Sequence, residues 1–187
     1  MRLFLGIPLA DVVVHELKTV TSRLRSYAAS STKSLHWTTP ESWHITLQFL
    51  GNATEAQLEC LTARLGELRS APVPVQLREL GCFDRAGIIF ADVAVAPELT
   101  ALRQKVLDAT TRCGFVAQEL PYHPHITLLR AKGRNHGFGL RDLTTGMRFR
   151  SEYSGFLAHE FLLYESHLGR NGSRYEVRGR FPLNSRQ

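Results

Sequence analysis

The sequence predicts a mixed α+β fold, and three observations carry that expectation. Short runs with period-two alternation are interleaved with longer segments whose apolar residues recur at spacings of three and four. The tetrapeptide His-Ile-Thr-Leu occurs twice, at His44 to Leu47 and at His125 to Leu128, each time in a segment of strand character. The chain of 187 residues is long enough to bury about two-thirds of its unfolded surface, so a single unit spanning 1–187 is expected.

Arg2 to Ile7 is a short apolar run suited to a buried strand. Pro8 and Asp11 then open a helix to about Ala29, with Val13, Leu17, Val20 and Leu24 at helical spacing. Leu35 to Thr38 reads as extended, and Thr39 to Ser42 as a turn. From His44 to Leu50 strict alternation places His44, Thr46 and Gln48 on one face and Ile45, Leu47 and Phe49 on the other. Thr54 caps a second helix to Leu68 through Leu58, Leu61 and Leu65. Val75 to Leu80 and Gly87 to Val95 are strands around a turn, and Pro97 to Cys113 is a third helix stopped at Gly114. His125 to Leu129 repeats the alternation, with His125, Thr127 and Leu129 on one face. Lys132 to Arg150 reads as mostly loop. Ser154 to Leu163 and Arg174 to Phe181 are the last strands, joined by a hairpin around Gly169, Asn171 and Gly172.

Composition narrows the functional classes. Hydrophobic residues at 43% and charged residues at 21% are ordinary globular values and exclude a disordered or fibrous chain. A net charge of +6 and a pI near 9.6 favour an anionic partner. Cys60, Cys82 and Cys113 are odd in number and show no C-x-x-C spacing, which argues against a disulfide framework and a zinc site and fits a reducing cytoplasm. No run of apolar residues is long enough for a membrane span, and Pro8 and Asp11 cut the first run too early for a signal peptide.

The two His-x-Thr strands carry the chemistry. Residues two apart on a strand point the same way about 6 to 7 Å apart, so each motif presents an imidazole and a hydroxyl on one surface. Phosphodiester hydrolysis needs such a set: one imidazole takes the proton of the attacking water and the other protonates the departing ribose oxygen. Thr46 and Thr127 can donate to the non-bridging phosphate oxygens. The unperturbed imidazole pKa of about 6.5 lets neutral and charged forms coexist, and a bell-shaped rate profile is expected. A lone His-x-Thr is usually a hydrogen-bonded pair on a half-buried strand; an identical tetrapeptide twice, each on a strand, favours function.

These residues resemble a family. Arg2 to Pro8, Pro40 to Gly51, Pro124 to Arg130, Leu163 to Ser166 and Arg174 to Val177 together are similar to the two-histidine phosphoesterases, specifically the bacterial LigT-like RNA 2',3'-cyclic phosphodiesterases of the 2'-5' RNA ligase family. The resemblance covers nearly the whole chain. It implies two pseudo-symmetric lobes of antiparallel sheet with outer helices around a central cleft. It also implies that His44 protonates the leaving 3' oxygen, that His125 activates water, that Thr46 and Thr127 hold the phosphate, and that a 2'-phosphate end remains. Reverse 2'-5' ligation is possible by microscopic reversibility. No metal and no cofactor is expected, the partner is RNA ending in a 2',3'-cyclic phosphate, and a cytoplasmic monomer without an obligate protein partner fits. The alternatives are a non-catalytic module that binds RNA ends or nucleotides, and a phosphodiesterase acting on 2'-5' linked oligonucleotides or small cyclic nucleotides. His36 departs from the family's pattern, where a Lys or Arg is usual.

Other residues compete for roles. Arg130 can neutralise the phosphate only if a bend or bulge reverses its parity relative to His125. His123 and His125 spell a metal-like His-x-His without a third ligand nearby, and His123 reads as a turn residue. Phe49 and Trp43 could stack a base, but the alternation assigns Phe49 to the core. Arg174, Arg178 and Arg180 form either a phosphate track or a solvated face, and His159 and His167 read as structural.

Overall fold

Strand β1 (Arg2–Pro8) is covered on both faces: Leu3, Leu5 and Ile7 are buried in the main core, and Phe4 is buried on the other face with Leu162 and Tyr164. The computed structural model describes residues 1–28, 35–116, 121–131, 140–144, 155–169 and 172–184. After β1 come helix α1 (Asp11–Tyr27), strand β2 (Leu35–Trp37), a 3₁₀ turn over Pro40–Ser42, strand β3 (His44–Asn52), helix α2 (Glu55–Gly66), strand β4 (Val73–Phe83) and strand β5 (Ile88–Val93). Helix α3 (Pro97–Thr111), strand β6 (His125–Ala131), helix α4 (Leu140–Thr144), and strands β7 (Gly155–Ala158), β8 (Glu160–Gly169) and β9 (Gly172–Pro182) complete the order.

The strands form two antiparallel sheets, β3-β1-β8-β9 and β2-β6-β5-β4-β7. Their arrangement is pseudo-symmetric: β3 pairs with β1 as β6 pairs with β5, and each inner strand is followed in sequence by a helix. Strand β2 breaks the symmetry by adding to the outer side of β6.

Local chemistry explains the helices. The Thr54 hydroxyl accepts from the Gln57 backbone at 3.2 Å while the Gln57 side chain accepts from the Thr54 backbone at 3.1 Å, satisfying two donors that a helix start leaves orphaned. Pro97 begins α3, where its missing N–H costs nothing. Gly114 adopts φ +84° just beyond α3, a conformation natural to glycine. Val13, Leu17 and Leu24 of α1 are buried in the main core, each contributing about 1.5–3 kcal/mol.

Two expectations are corrected and one is refined. Ser154 to Leu163 is not one strand: β7 pairs with β4 in one sheet and β8 with β1 and β9 in the other. The chain crosses between sheets at His159, whose carbonyl accepts from the Leu183 N–H at 2.7 Å. Within Lys132 to Arg150, residues 140–144 form α4, with Leu140 and Leu143 buried; the rest of that loop lies outside the described residues. Cys60 and Cys113 are bonded, contrary to the reading of unpaired cysteines, because α2 and α3 pack together and bring their Cα atoms to 5.8 Å. Cys82 is free. No helix among the described residues is long and apolar enough to cross a membrane.

Candidate active site

Each motif histidine is held by the backbone that precedes it. Nδ1 of His44 lies 2.8 Å from the Ser42 carbonyl, and Nδ1 of His125 lies 2.8 Å from the His123 carbonyl. A carbonyl only accepts, so Nδ1 carries the proton in both rings and Nε2 is left for chemistry. The two environments also match. His44 packs on Phe4 at 4.6 Å between centroids and against Tyr164 and Tyr175, while His125 is flanked by Phe83 and Phe90, each at 5.2 Å. Two glycines make the close packing possible. A Cβ on Gly6 would meet the Ile45 carbonyl at 2.9 Å and the His44 ring at 3.2 Å, and one on Gly81 would collide with the Phe90 ring.

Both motif strands carry a bulge at the same point, and the bulges decide which side chains reach the cleft. In β3 the pairing jumps from Gly6↔Thr46 to Leu5↔Gln48, so Leu47 and Gln48 are both buried and Phe49 emerges on the side of His44 and Thr46, 51% exposed. The sequence-based placement of Gln48 on the polar face and Phe49 in the core is therefore reversed from the bulge onward. Gln48 points inward, its Oε1 accepting from the Thr110 hydroxyl at 2.8 Å. In β6 the pairing jumps from Phe90↔Thr127 to Ile89↔Leu129. Leu128 and Leu129 are both buried and Arg130 is exposed, so the bulge required for Arg130 to share the His125 face is present. Leu129 turns to the core, not to the His125 face.

The sites converge across the cleft. Strands β3 and β6 approach within 8 Å between Cα atoms, and a pocket of about 370 Å³ is lined by Thr46 and Phe49 from one sheet, by His125 and Phe83 from the other, and by Tyr122 and His123 from the segment that leads into β6. A neighbouring cavity of about 770 Å³ is lined by Arg130, Arg2, Phe4, Phe49, Phe115 and Tyr175, among others. Phe49 borders both. Thr127 lies opposite Phe90 on β5, two residues from His125 and on its face.

Burial pushes the His44 pKa down to about 4, opposed by the Ser42 carbonyl and reinforced by the charges of His125 and Arg130. His125 is lowered as well, again chiefly by burial, with the His123 carbonyl and Asp92 opposing and the charges of His123 and Arg130 reinforcing. The free protein therefore holds His44 neutral at pH 7. An arriving phosphate supplies the negative charge that raises both pKa values.

The remaining candidates sort by position. His36 is paired directly with Arg130 across β2 and β6. His123 places Nε2 3.0 Å from Asp92, and among the described residues no group of three His, Cys, Asp or Glu side chains is gathered around a point. Trp43 is buried. Arg178 sits 3.5 Å from Glu165 and Arg180 2.9 Å from Glu160, which favours a solvated, internally paired face over a phosphate track. His167 meets Glu176 at 3.2 Å. Sequence reasoning missed Phe4, Tyr164 and Tyr175 around His44, since no local pattern says that β1, β8 and β9 line up beside β3. It also missed Tyr122 and Thr38, whose hydroxyls reach the backbone of the motif strands.

Fold and site together define a two-sheet α+β protein that presents one His-x-Thr strand from each sheet to a common cleft. The chain belongs to the 2'-5' RNA ligase superfamily, whose profile matches residues 14–169. Among relatives, the RNA 2',3'-cyclic phosphodiesterase of Bacillus subtilis (strain 168) is 27% identical over 190 residues, covering 96% of this chain and 95% of the relative. The crystal structure of TT0787 of Thermus thermophilus superposes with a TM-score of 0.77 at 26% identity, and that of E. coli LigT complexed with 3'-AMP with 0.74 at 23%, each covering 98% of both chains. These superpositions bear out the expected LigT-like fold.

Proposed function

We propose that this protein hydrolyses RNA 2',3'-cyclic phosphate ends to 2'-phosphate ends, with His44 and His125 as paired acid and base. The observation that carries the reading is the shared pocket: Thr46 of one sheet faces His125 of the other, and the charge of Arg130 is felt at both imidazoles. The name of the Bacillus subtilis relative and the 3'-AMP complex of E. coli LigT support the same substrate class.

In this mechanism water attacks phosphorus in line with the 3' oxygen and passes its proton to Nε2 of His125. The bond from phosphorus to the 3' oxygen breaks as Nε2 of His44 protonates that oxygen, leaving a 2'-phosphomonoester and a 3'-hydroxyl. The carbonyls of Ser42 and His123 hold each ring through Nδ1 and stabilise it when it becomes charged. Thr46, Thr127 and Arg130 bind the non-bridging oxygens. No metal takes part, and residues 1–187 act as one bilobal monomer. A cytoplasmic location belongs to the same proposal.

The test is an oligonucleotide ending in a 2',3'-cyclic phosphate, incubated with EDTA. Turnover to a 2'-phosphate is expected, with losses of about 10²- to 10⁴-fold in each of His44→Ala and His125→Ala. Since the acid must be charged and the base neutral, and both pKa values are lowered, kcat/KM should form a bell centred below pH 6.5. Activity that requires added metal, or that survives both substitutions, would sink the mechanism.

A further inference from the structure

The backbone carbonyls of the two motif threonines are gripped reciprocally. Tyr122, in the segment that leads into His125, donates its hydroxyl to the carbonyl of Thr46 in the other motif at 3.1 Å. Thr38, in the segment that leads into His44, donates its hydroxyl to the carbonyl of Thr127 at 2.8 Å. Each motif strand is thus tied, at the residue two positions past its histidine, to the approach of the opposite histidine.

Both ties are themselves held. Trp43, immediately before His44, donates Nε1 to the Thr38 hydroxyl at 2.8 Å, and the Thr38 N–H bonds the Leu128 carbonyl at 3.0 Å. The Tyr122 ring lies 4.5 Å from the Arg103 guanidinium of α3, and its burial keeps the phenol protonated and therefore a donor. The ties fall where the sheets need them. Strand β3 is the edge of its sheet, so nothing in that sheet fixes its distance from β6, and β2 stops at Trp37, one residue short of the Thr127 carbonyl tie at Thr38.

We propose that Tyr122 and the Thr38–Trp43 pair are positioning residues that form a reciprocal clamp, setting the separation and facing of His44 and His125. This rests on the reading of those histidines as acid and base. A clamp of this kind acts on kcat more than on KM, because in-line proton transfer needs both rings in place at once, whereas phosphate and base can still be held from either sheet.

The experiment compares Tyr122→Phe, Thr38→Val and the conservative Thr38→Ser with the wild type, using the cyclic-phosphate oligonucleotide. The first two should lose about 10- to 100-fold in kcat with KM within about twofold, and Thr38→Ser should restore most of the rate. A second readout is independent of turnover: the His44 titration midpoint, followed by imidazole ¹⁵N shifts, should rise in Tyr122→Phe and Thr38→Val as the loosened cleft admits water. Folded variants with wild-type kcat, or an unmoved midpoint in both, overturn the clamp. A purely structural role predicts a lower Tm with unchanged kcat per folded molecule. If His44→Ala and His125→Ala abolish turnover while the clamp variants do not, the clamp alone fails; if those two alanine variants keep full activity, the acid–base reading fails first.

Discussion

At the residue scale, Phe49 shows how one backbone irregularity changes a side chain's task. The alternation of His44 to Leu50 sends it to the core, but the bulge at Leu47 turns it out beside Thr46, half exposed between two cavities. If the proposed reaction takes place in this cleft, an exposed ring at that point would stack the base next to the scissile phosphate, an interaction worth about 1–3 kcal/mol. Phe49→Ala should therefore raise KM for the cyclic-phosphate oligonucleotide by about fivefold or more with kcat nearly unchanged. Steady-state kinetics on the folded variant decide the matter, and an unaltered KM would remove Phe49 from substrate binding. The histidines themselves were legible from the repeated tetrapeptide. The bulge was not, because it depends on the partner strand β1 and on what Gln48 finds in the core, a hydroxyl from Thr110 on α3.

Among the elements, the pairing of α2 with α3 has a measurable consequence. The Cys60–Cys113 bond closes a loop with a sequence separation of 53, for which the chain-entropy view gives about 4 kcal/mol of stabilisation at most. Thiol titration of the unfolded, non-reduced protein should find one reactive thiol, Cys82, and three after reduction. Reduction, or Cys60→Ser, should lower the denaturant midpoint by the equivalent of about 2–4 kcal/mol. Three titratable thiols before reduction would show that the bond does not form. The bond lies near the larger cavity, since Gly114, Phe115 and Gln57 line it and the Gln57 side chain donates to the Cys113 carbonyl at 3.4 Å. Cysteine spacing could not reveal the pair, because it reports nothing about which helices lie side by side.

For the whole molecule, the buried imidazoles couple folding to pH. His44 falls to about 4 in the folded state from about 6.5 unfolded, so between those values the unfolded chain binds a proton that the folded chain does not. Stability is then complete above about pH 6.5 and declines as pH drops toward 4, by up to about 3 kcal/mol for this group, and the lowered His125 acts in the same direction. Urea midpoints at pH 7 and pH 4.5 check the sign and size. The decline should be smaller in His44→Gln, which cannot titrate, and equal declines in the two proteins would mean that His44 is not the group responsible.

Taken alone, the amino-acid order determined the α+β class, most helix and strand positions, the Thr54 cap and the two His-x-Thr strands, because those features depend on local periodicity and on hydrogen bonds between near neighbours. Only the tertiary structure decided that β7 and β8 enter different sheets, that paired bulges bring Phe49 and Arg130 to the cleft, that Cys60 meets Cys113, and that Tyr122 and Thr38 reach across to the opposite motif. Each of these depends on which distant strand or helix supplies the neighbour, and a one-residue shift in pairing exchanges the two faces of a strand.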